Sequence, residues 1–260
     1  MNSSPFSRFR FSAALALLAC GLAAGPLARA QTVLDDFSAN LHDTSYTFKA
    51  GDDTTWHVAD GTLQPVHSSA ADYHAWIWSG GQALVNVGDS FSIDLQVAPS
   101  GGAHNGGLAV WTSSAANTNP ATDRVFEPRL GYDSGVFSFV SEFNNVDGYT
   151  ITTLDAAPVG FTTLAITLSG RTADSSTLTA VLSGTGFTTL QHDYTFNFTG
   201  AMFVGPSSYL ADAGNVAFDN LAYSTSTSAI PEPSTYAAIF GACALGLAAW
   251  RRRTTTVPTH

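Results

Sequence analysis

Residues 31–229 contain only two glutamates, Glu127 and Glu142, fifteen residues apart. Glycoside hydrolysis needs two carboxylates flanking the bond, about 5–5.5 Å apart in a retaining enzyme and about 6.5–9.5 Å apart in an inverting one. Glu142 reads as an exposed strand-end residue, and no catalytic residue is expected. His42, His57, His67, His74, His104 and His192 stand singly, without His-x-His or His-x-x-x-His spacing. Zinc is not expected, and each histidine reads as a surface or strand-edge residue. The sequence lacks a Gly-x-Ser-x-Gly elbow, and Gly101-Gly102 and Gly106-Gly107 precede a strand rather than a helix, so they cradle no phosphate.

Aromatic side chains offer a different chemistry. Trp76 and Trp78 lie two apart on one strand face, with Trp111 and Tyr132 on nearby candidate strands. If that face is the concave outer one, sugar rings can stack there while Asn105 or Asn144 fixes hydroxyls. If it is the inner face, these are core side chains, as large aromatics mostly are.

The elements that position these residues are strands. Phe91, Ile93, Leu95 and Val97 alternate with Ser92, Asp94 and Gln96; Leu164, Ile166 and Leu168 repeat the period of two, as do Leu178, Ala180 and Leu182. Further strands are expected at Val33–Phe37, Thr62–Val66, Leu108–Thr112, Arg129–Tyr132, Val136–Ser141, Tyr149–Thr153, Thr189–Phe196 and Val216–Tyr223. Asn117 to Asp123 and Ala98 to Gly106 read as the long surface loops. Without a helical period between the two ends of the chain, the expectation is an all-β, two-sheet antiparallel jelly-roll sandwich over residues 31–223.

Charge narrows the partners. Among 260 residues the net charge is −10, and residues 31–229 hold four basic groups against nineteen acidic ones, a net of −15. A nucleic-acid binder needs a basic stripe, so nucleic acid is excluded. Cys20 and Cys243 both lie near the chain ends, so the middle can form neither a disulfide nor a thiolate metal site.

Both ends read as addresses. Arg8 and Arg10 precede an apolar run, Phe11 to Ala24, followed by Pro26 and Ala28-Arg29-Ala30. This is a secretory signal peptide over residues 1–30, cleaved after Ala30 by signal peptidase at the Ala28-x-Ala30 site. Leu17-Leu18-Ala19-Cys20 is a loose lipobox, the competing reading. At the other end a Ser/Thr linker (224–229) leads to Ile230-Pro231-Glu232-Pro233-Ser234, an apolar stretch from Tyr236 to Trp250, and Arg251-Arg252-Arg253. Fifteen helical residues span roughly 22 Å, short of the ~30 Å hydrocarbon core, although Trp250 and snorkelling arginines relieve the mismatch. A transmembrane helix over 236–250, with 254–260 as a cytoplasmic tail, suits temporary retention better than permanent anchoring.

Over residues 230–253 the sequence resembles the PEP-CTERM sorting signals of Gram-negative bacteria. The resemblance implies recognition by an exosortase at Pro231, Glu232, Pro233 and Ser234, with Arg251, Arg252 and Arg253 as the terminal cluster. Export, transient inner-membrane anchoring and delivery to the cell surface or the extracellular, biofilm-type matrix would follow. The tail Thr254 to His260 departs from the pattern, since such signals usually stop soon after the arginines.

The middle resembles concanavalin A-like (laminin-G-like) sandwiches through Asp35-Asp36-Phe37, the stretch Trp56-His57-Val58-Ala59-Asp60-Gly61-Thr62-Leu63, and Val216-Ala217-Phe218-Asp219-Asn220-Leu221. The resemblance implies a first strand paired with the last and a concave face that binds glycans. It would also bring Asp35, Asp36 and Asp219 together as a structural Ca2+ site; turn and capping roles are the alternative. The two glutamates and an aspartate alternating on one strand in family-16 glycoside hydrolases are not reproduced, because Asn144, Asn145 and Gly148 place a turn between Glu142 and Asp147. The expectation is therefore an exported, non-catalytic module associating with exopolysaccharide or another glycan. A structural or adhesive matrix protein, or a polysaccharide hydrolase or lyase of the same superfamily, are the alternatives.

Overall fold

The computed structural model describes residues 31–39, 45–50, 56–65, 73–99, 102–116, 120–143, 148–209 and 215–226. The expected signal peptide with Ala28 and Ala30, the helix expected over 236–250, Pro231 to Ser234 and Arg251 to Arg253 lie outside the described residues, as do His42, His67, Asn144 and Asp147.

Strands run in chain order as β1 (Gln31–Asp35), β2 (Tyr46–Ala50), β3 (Trp56–Ala59), β4 (Thr62–Pro65), β5 (Tyr73–Trp78), β6 (Ser90–Val97), β7 (His104–Trp111) and β8 (Arg124–Asp133). They continue as β9 (Val136–Phe143), β10 (Tyr149–Thr153), β11 (Val159–Arg171), β12 (Ser176–Thr185), β13 (Leu190–Phe196), β14 (Phe203–Tyr209) and β15 (Val216–Ser224). Among the described residues the one named helix is a single turn, α1 (Pro120–Asp123). An eight-stranded sheet has the order β13-β12-β11-β6-β15-β4-β3, with β1 also pairing β15; a seven-stranded sheet has the order β10-β9-β8-β7-β14-β5-β2. The named pairings are all antiparallel, giving the expected two-sheet sandwich.

The core lies between the sheets. Phe91, Ile93 and Leu95 of β6 face Leu108 and Val110 of β7, Phe126 and Leu130 of β8, and Phe139 of β9, all within one buried cluster. Each such side chain contributes about 1.5–3 kcal/mol by leaving water. Trp56 stacks on Phe218 at 5.7 Å, tying β3 to β15. The strict alternation of β6 follows from one wet face. β5 lacks it, four consecutive residues being buried, because the outer face of the seven-stranded sheet is itself partly covered.

β2 and β14 escape the sequence reading. β14 carries Gly205 and Pro206, which argue against an interior strand. It pairs with β7 along its whole length but with β5 only over Ser207–Tyr209, so the proline sits where one ladder is missing.

Candidate functional site

The β8–β9 connection is a two-residue turn, Ser134-Gly135, with φ of 50° and 90°. Two successive positive φ values match the twist of the flanking strands and fix the register. That register sets Glu127 opposite Glu142 and Arg129 opposite Val140. A shift in the β7–β8 register beside Val125 brings Arg124 onto the same outward face. The side chains then close on one another. Arg124 donates to both Glu127 Oε2 and Glu142 Oε1; Arg129 Nη2 reaches Glu142 Oε2 at 2.9 Å, and its Nη1 lies 3.7 Å from Glu127 Oε2. Glu127 is fully buried and Glu142 half-buried. Glu142 is thus not the exposed strand-end residue expected from sequence; two arginines draw it onto the sheet.

Burial opposes the charge on Arg124, but Glu127, Tyr73 and Glu142 more than offset it and hold the guanidinium above its usual range. The guanidinium also lies 4.8 Å over the Tyr73 ring. Burial, then Glu127, pushes the Tyr73 phenol well up.

Beside this quartet the sheet's outer face is filled by its own side chains. Trp111 is 0% exposed and packs with Ala75, Ile77 and Ala109. Lys49 lies 5.1 Å over its ring and donates to Ser113 O at 2.7 Å and Ala115 O at 2.5 Å, with burial lowering the amine to about 8. Buried polar atoms on this face without a protein partner include Trp111 Nε1, Ser207 Oγ, Glu127 Oε1 and Arg129 Nε. Each is a position for an ordered water.

This arrangement corrects the aromatic platform. Trp76, 4% exposed, points into the core against Tyr46, Phe48 and Trp56. Trp78 is half-buried on the core side, donating from Nε1 to Gln82. Trp111 does face outward but is covered. Tyr132, half-buried like Trp78, packs against the core and lines the edge of a groove.

That groove, about 420 Å3, lies on the outer face towards the β10 edge. Asn105, Gly131 and Ser138 occupy one row across β7, β8 and β9, because Asn105 pairs with Gly131 and Gly131 with Ser138. Gly131 leaves the floor open. Asp133 and Val136 flank the turn, and Ile151, 53% exposed, forms the apolar shoulder with Val140. Beyond it Tyr149, 68% exposed and opposite Glu142, is the most exposed large aromatic of the described residues. Sequence reading placed this strand but missed Tyr149, since which face of β10 is outward depends on its partner.

The remaining expectations are also revised. Asp35 is buried and both carboxylate oxygens are engaged, Oδ1 by Phe37 N at 2.8 Å and Oδ2 by Tyr46 OH at 3.1 Å. Asp36 accepts from Ser38 N, and Asp219 from Asn220 N. Burial, then Asp94 and Asp36, raises Asp219, so these carboxylates feel one another, but no three His, Cys, Asp or Glu among the described residues form a metal-holding group. In the structure Asp35 caps a turn and anchors a tyrosine, the turn-and-capping role that is the alternative to calcium. His74, His104 and His192 are buried rather than superficial. His192 bridges Ser141 Oγ at 2.8 Å and Thr152 Oγ1 at 2.9 Å and stacks on Phe139 at 4.3 Å; burial lowers its pKa. His104 turns Nδ1 to Gly102 O at 2.6 Å and Nε2 to Ala98 O at 2.8 Å, pinning the β6–β7 connection beside the groove.

Residues 229–253 match the PEP-CTERM protein-sorting motif. No curated protein matches the chain. Among solved structures the sandwich is similar to the carbohydrate recognition domain of Emp46p (8% identity, 74% of this chain and 94% of that one, TM-score 0.49). It is also similar to lectin II from Ulex europaeus (14%, 75% and 97%, 0.48) and to the catalytic domain of a laminarinase from Thermotoga petrophila (11%, 77% and 100%, 0.43).

Proposed function

We propose that this PEP-CTERM-sorted protein is a non-catalytic module of the cell surface or extracellular matrix, associating with exopolysaccharide or another glycan through the outer-face groove. One observation carries the reading: within about 420 Å3 the groove sets an apolar shoulder, Ile151 and Val140, beside an amide, a carboxylate and a hydroxyl, Asn105, Asp133 and Ser138. A pyranose needs that combination, an apolar C–H face to stack and hydroxyl edges to bond. Asn105 Oδ1 makes no hydrogen bond inside the protein, so turning the amide to a ligand breaks none there. The motif supports processing by exosortase after transient membrane anchoring, and signal peptidase would act at Ala30.

The test is a glycan array followed by calorimetry on the processed protein, with Asn105→Ala and Tyr149→Ala/Ile151→Ala variants. Affinity should fall at least tenfold in each, at unchanged melting temperature. Binding that survives both variants removes the groove from the account, and no binding to any glycan leaves the structural, adhesive role. One observation favours the hydrolase alternative: the domain's two glutamates face each other on the outer sheet face. Against it, Glu127 is fully buried and both carboxylates are spent on arginines, whereas a general acid must reach its glycosidic oxygen. Glycan hydrolysis abolished by Glu142→Gln would establish the enzyme.

A further inference from the structure

We infer that the groove selects an uncharged, hydroxyl-rich polysaccharide and rejects acidic ones; the inference rests on the glycan reading above. Residues 31–226 hold four Lys and Arg side chains. Recognition of a uronate or sulfate would draw on them, since guanidinium and ammonium groups are the usual partners of oxyanions. All four are already engaged. Arg124 and Arg129 are bound to Glu127 and Glu142. Lys49 is fixed to two carbonyls, Ser113 O and Ala115 O. Arg171 donates to Val85 O at 2.5 Å, Gly200 O at 3.0 Å and Ser176 Oγ at 3.3 Å.

The location of these cations sharpens the point. Three of the four, Arg124, Arg129 and Lys49, stand on the outer face of the seven-stranded sheet; of these Arg129, opposite the groove residue Val140, is the one placed to serve an acidic ligand, while Lys49 lies on β2 at the far edge. Two of them are neutralised by the only glutamates of the domain. Releasing Arg124 would leave the fully buried Glu127 facing only Arg129 Nη1 at 3.7 Å, and releasing Arg129 would strip Glu142 Oε2 of its 2.9 Å partner, so either arginine is costly to redirect to a ligand. His104, which also lines the groove, turns both ring nitrogens onto backbone carbonyls.

What the groove does offer is oxygen. The Asp133 carboxylate at the rim and the Ser138 hydroxyl accept hydrogen bonds, the Asn105 amide, whose Oδ1 is buried without a partner, can do so once turned outward, and hydroxyl groups supply the donors they need. A polyanion brings acceptors to acceptors, and it approaches a domain of net charge −15.

The experiment uses the processed protein, with laminarin as the neutral polymer and alginate as the polyuronate, in EDTA so that no divalent cation bridges carboxylates. Laminarin should bind with an affinity that changes less than about twofold between low and high salt, because no ion pair is screened. Alginate should bind at least tenfold more weakly. Asp133→Lys, which places an unspent ammonium on the exposed rim, should gain alginate binding while remaining folded. Alginate bound as tightly as laminarin by the wild type overturns this inference and leaves the glycan reading standing. So does an Asp133→Lys protein that still binds laminarin but gains nothing for alginate. Failure to bind either polymer, or any other on the array, overturns the glycan reading and this inference with it.

Discussion

Replacing Arg124 by methionine keeps most of its apolar stem and removes the guanidinium that Glu127 and Glu142 share. Glu127, 0% exposed, would then face only Arg129 Nη1, 3.7 Å away and better aligned with Glu142. Stranding one member of a buried ion pair costs about 3–5 kcal/mol, against about 0–1 kcal/mol for an exposed pair. With a total stability of about 5–15 kcal/mol and a urea slope of about 2 kcal/mol/M, the unfolding midpoint should fall by roughly 2 M at constant slope. The companion variant, Arg124→Met/Glu127→Leu, removes the stranded charge as well and should recover at least half of the loss. Equilibrium urea unfolding followed by tryptophan fluorescence reads both, since Trp111 and Trp76 lie in the two clusters affected by collapse of the sheet. A single variant losing less than about 1 kcal/mol would show the quartet to be solvated like a surface bridge. A double variant no better than the single would assign the loss to packing rather than charge.

Three other outcomes are expected. His192 has a lowered pKa in the fold, so the unfolded chain binds its proton first; stability contributed by neutral His192 is complete above about pH 6.5 and declines as pH falls through that value, at no more than about 1.4 kcal/mol per pH unit. Urea midpoints between pH 5 and 8 should show this slope, and His192→Gln should flatten it; an unchanged slope in the variant assigns the effect elsewhere. Saturating calcium should leave the melting temperature unmoved, because both Asp35 oxygens already accept hydrogen bonds within the fold, and a rise of several degrees would establish a calcium site. A crystal structure at about 1.8 Å or better should place ordered waters on Trp111 Nε1, Ser207 Oγ and Glu127 Oε1; dry density around all three would contradict the satisfaction rule for buried polar groups.

Strands with one wet face were legible in the sequence. Phe91 to Val97 alternate because sheet packing leaves their polar partners outside, and β11 and β12 repeat the pattern for the same reason. β5 was legible as a strand, with Trp76 and Trp78 on one side, but its inner side could not be told from its outer, since Ala75 and Ile77 are buried too. The Arg–Glu quartet was invisible because it depends on register. Glu127 and Glu142 meet only through a two-residue turn, and Arg124 joins them only through an irregularity near Val125. The histidines misled for a related reason. A lone imidazole has no periodic signature, and Ser141 and Thr152, which make burial of His192 affordable, come from two other strands.

β1 and β15 join the two extremes of the sandwich sequence, Gln31 opposite Ser224, and β15 is an interior strand held also by β4 and β6. The last strand of the sandwich to be synthesised is therefore the one around which the eight-stranded sheet closes. A nascent or partly translocated chain holds β6, β4 and β1 without the strand that unites them, and it stays open until residues 216–224 arrive. The sorting motif begins at residue 229, almost directly behind. The strand that closes the domain and the motif thus follow one another within a few residues, so a chain truncated before β15 would lack both.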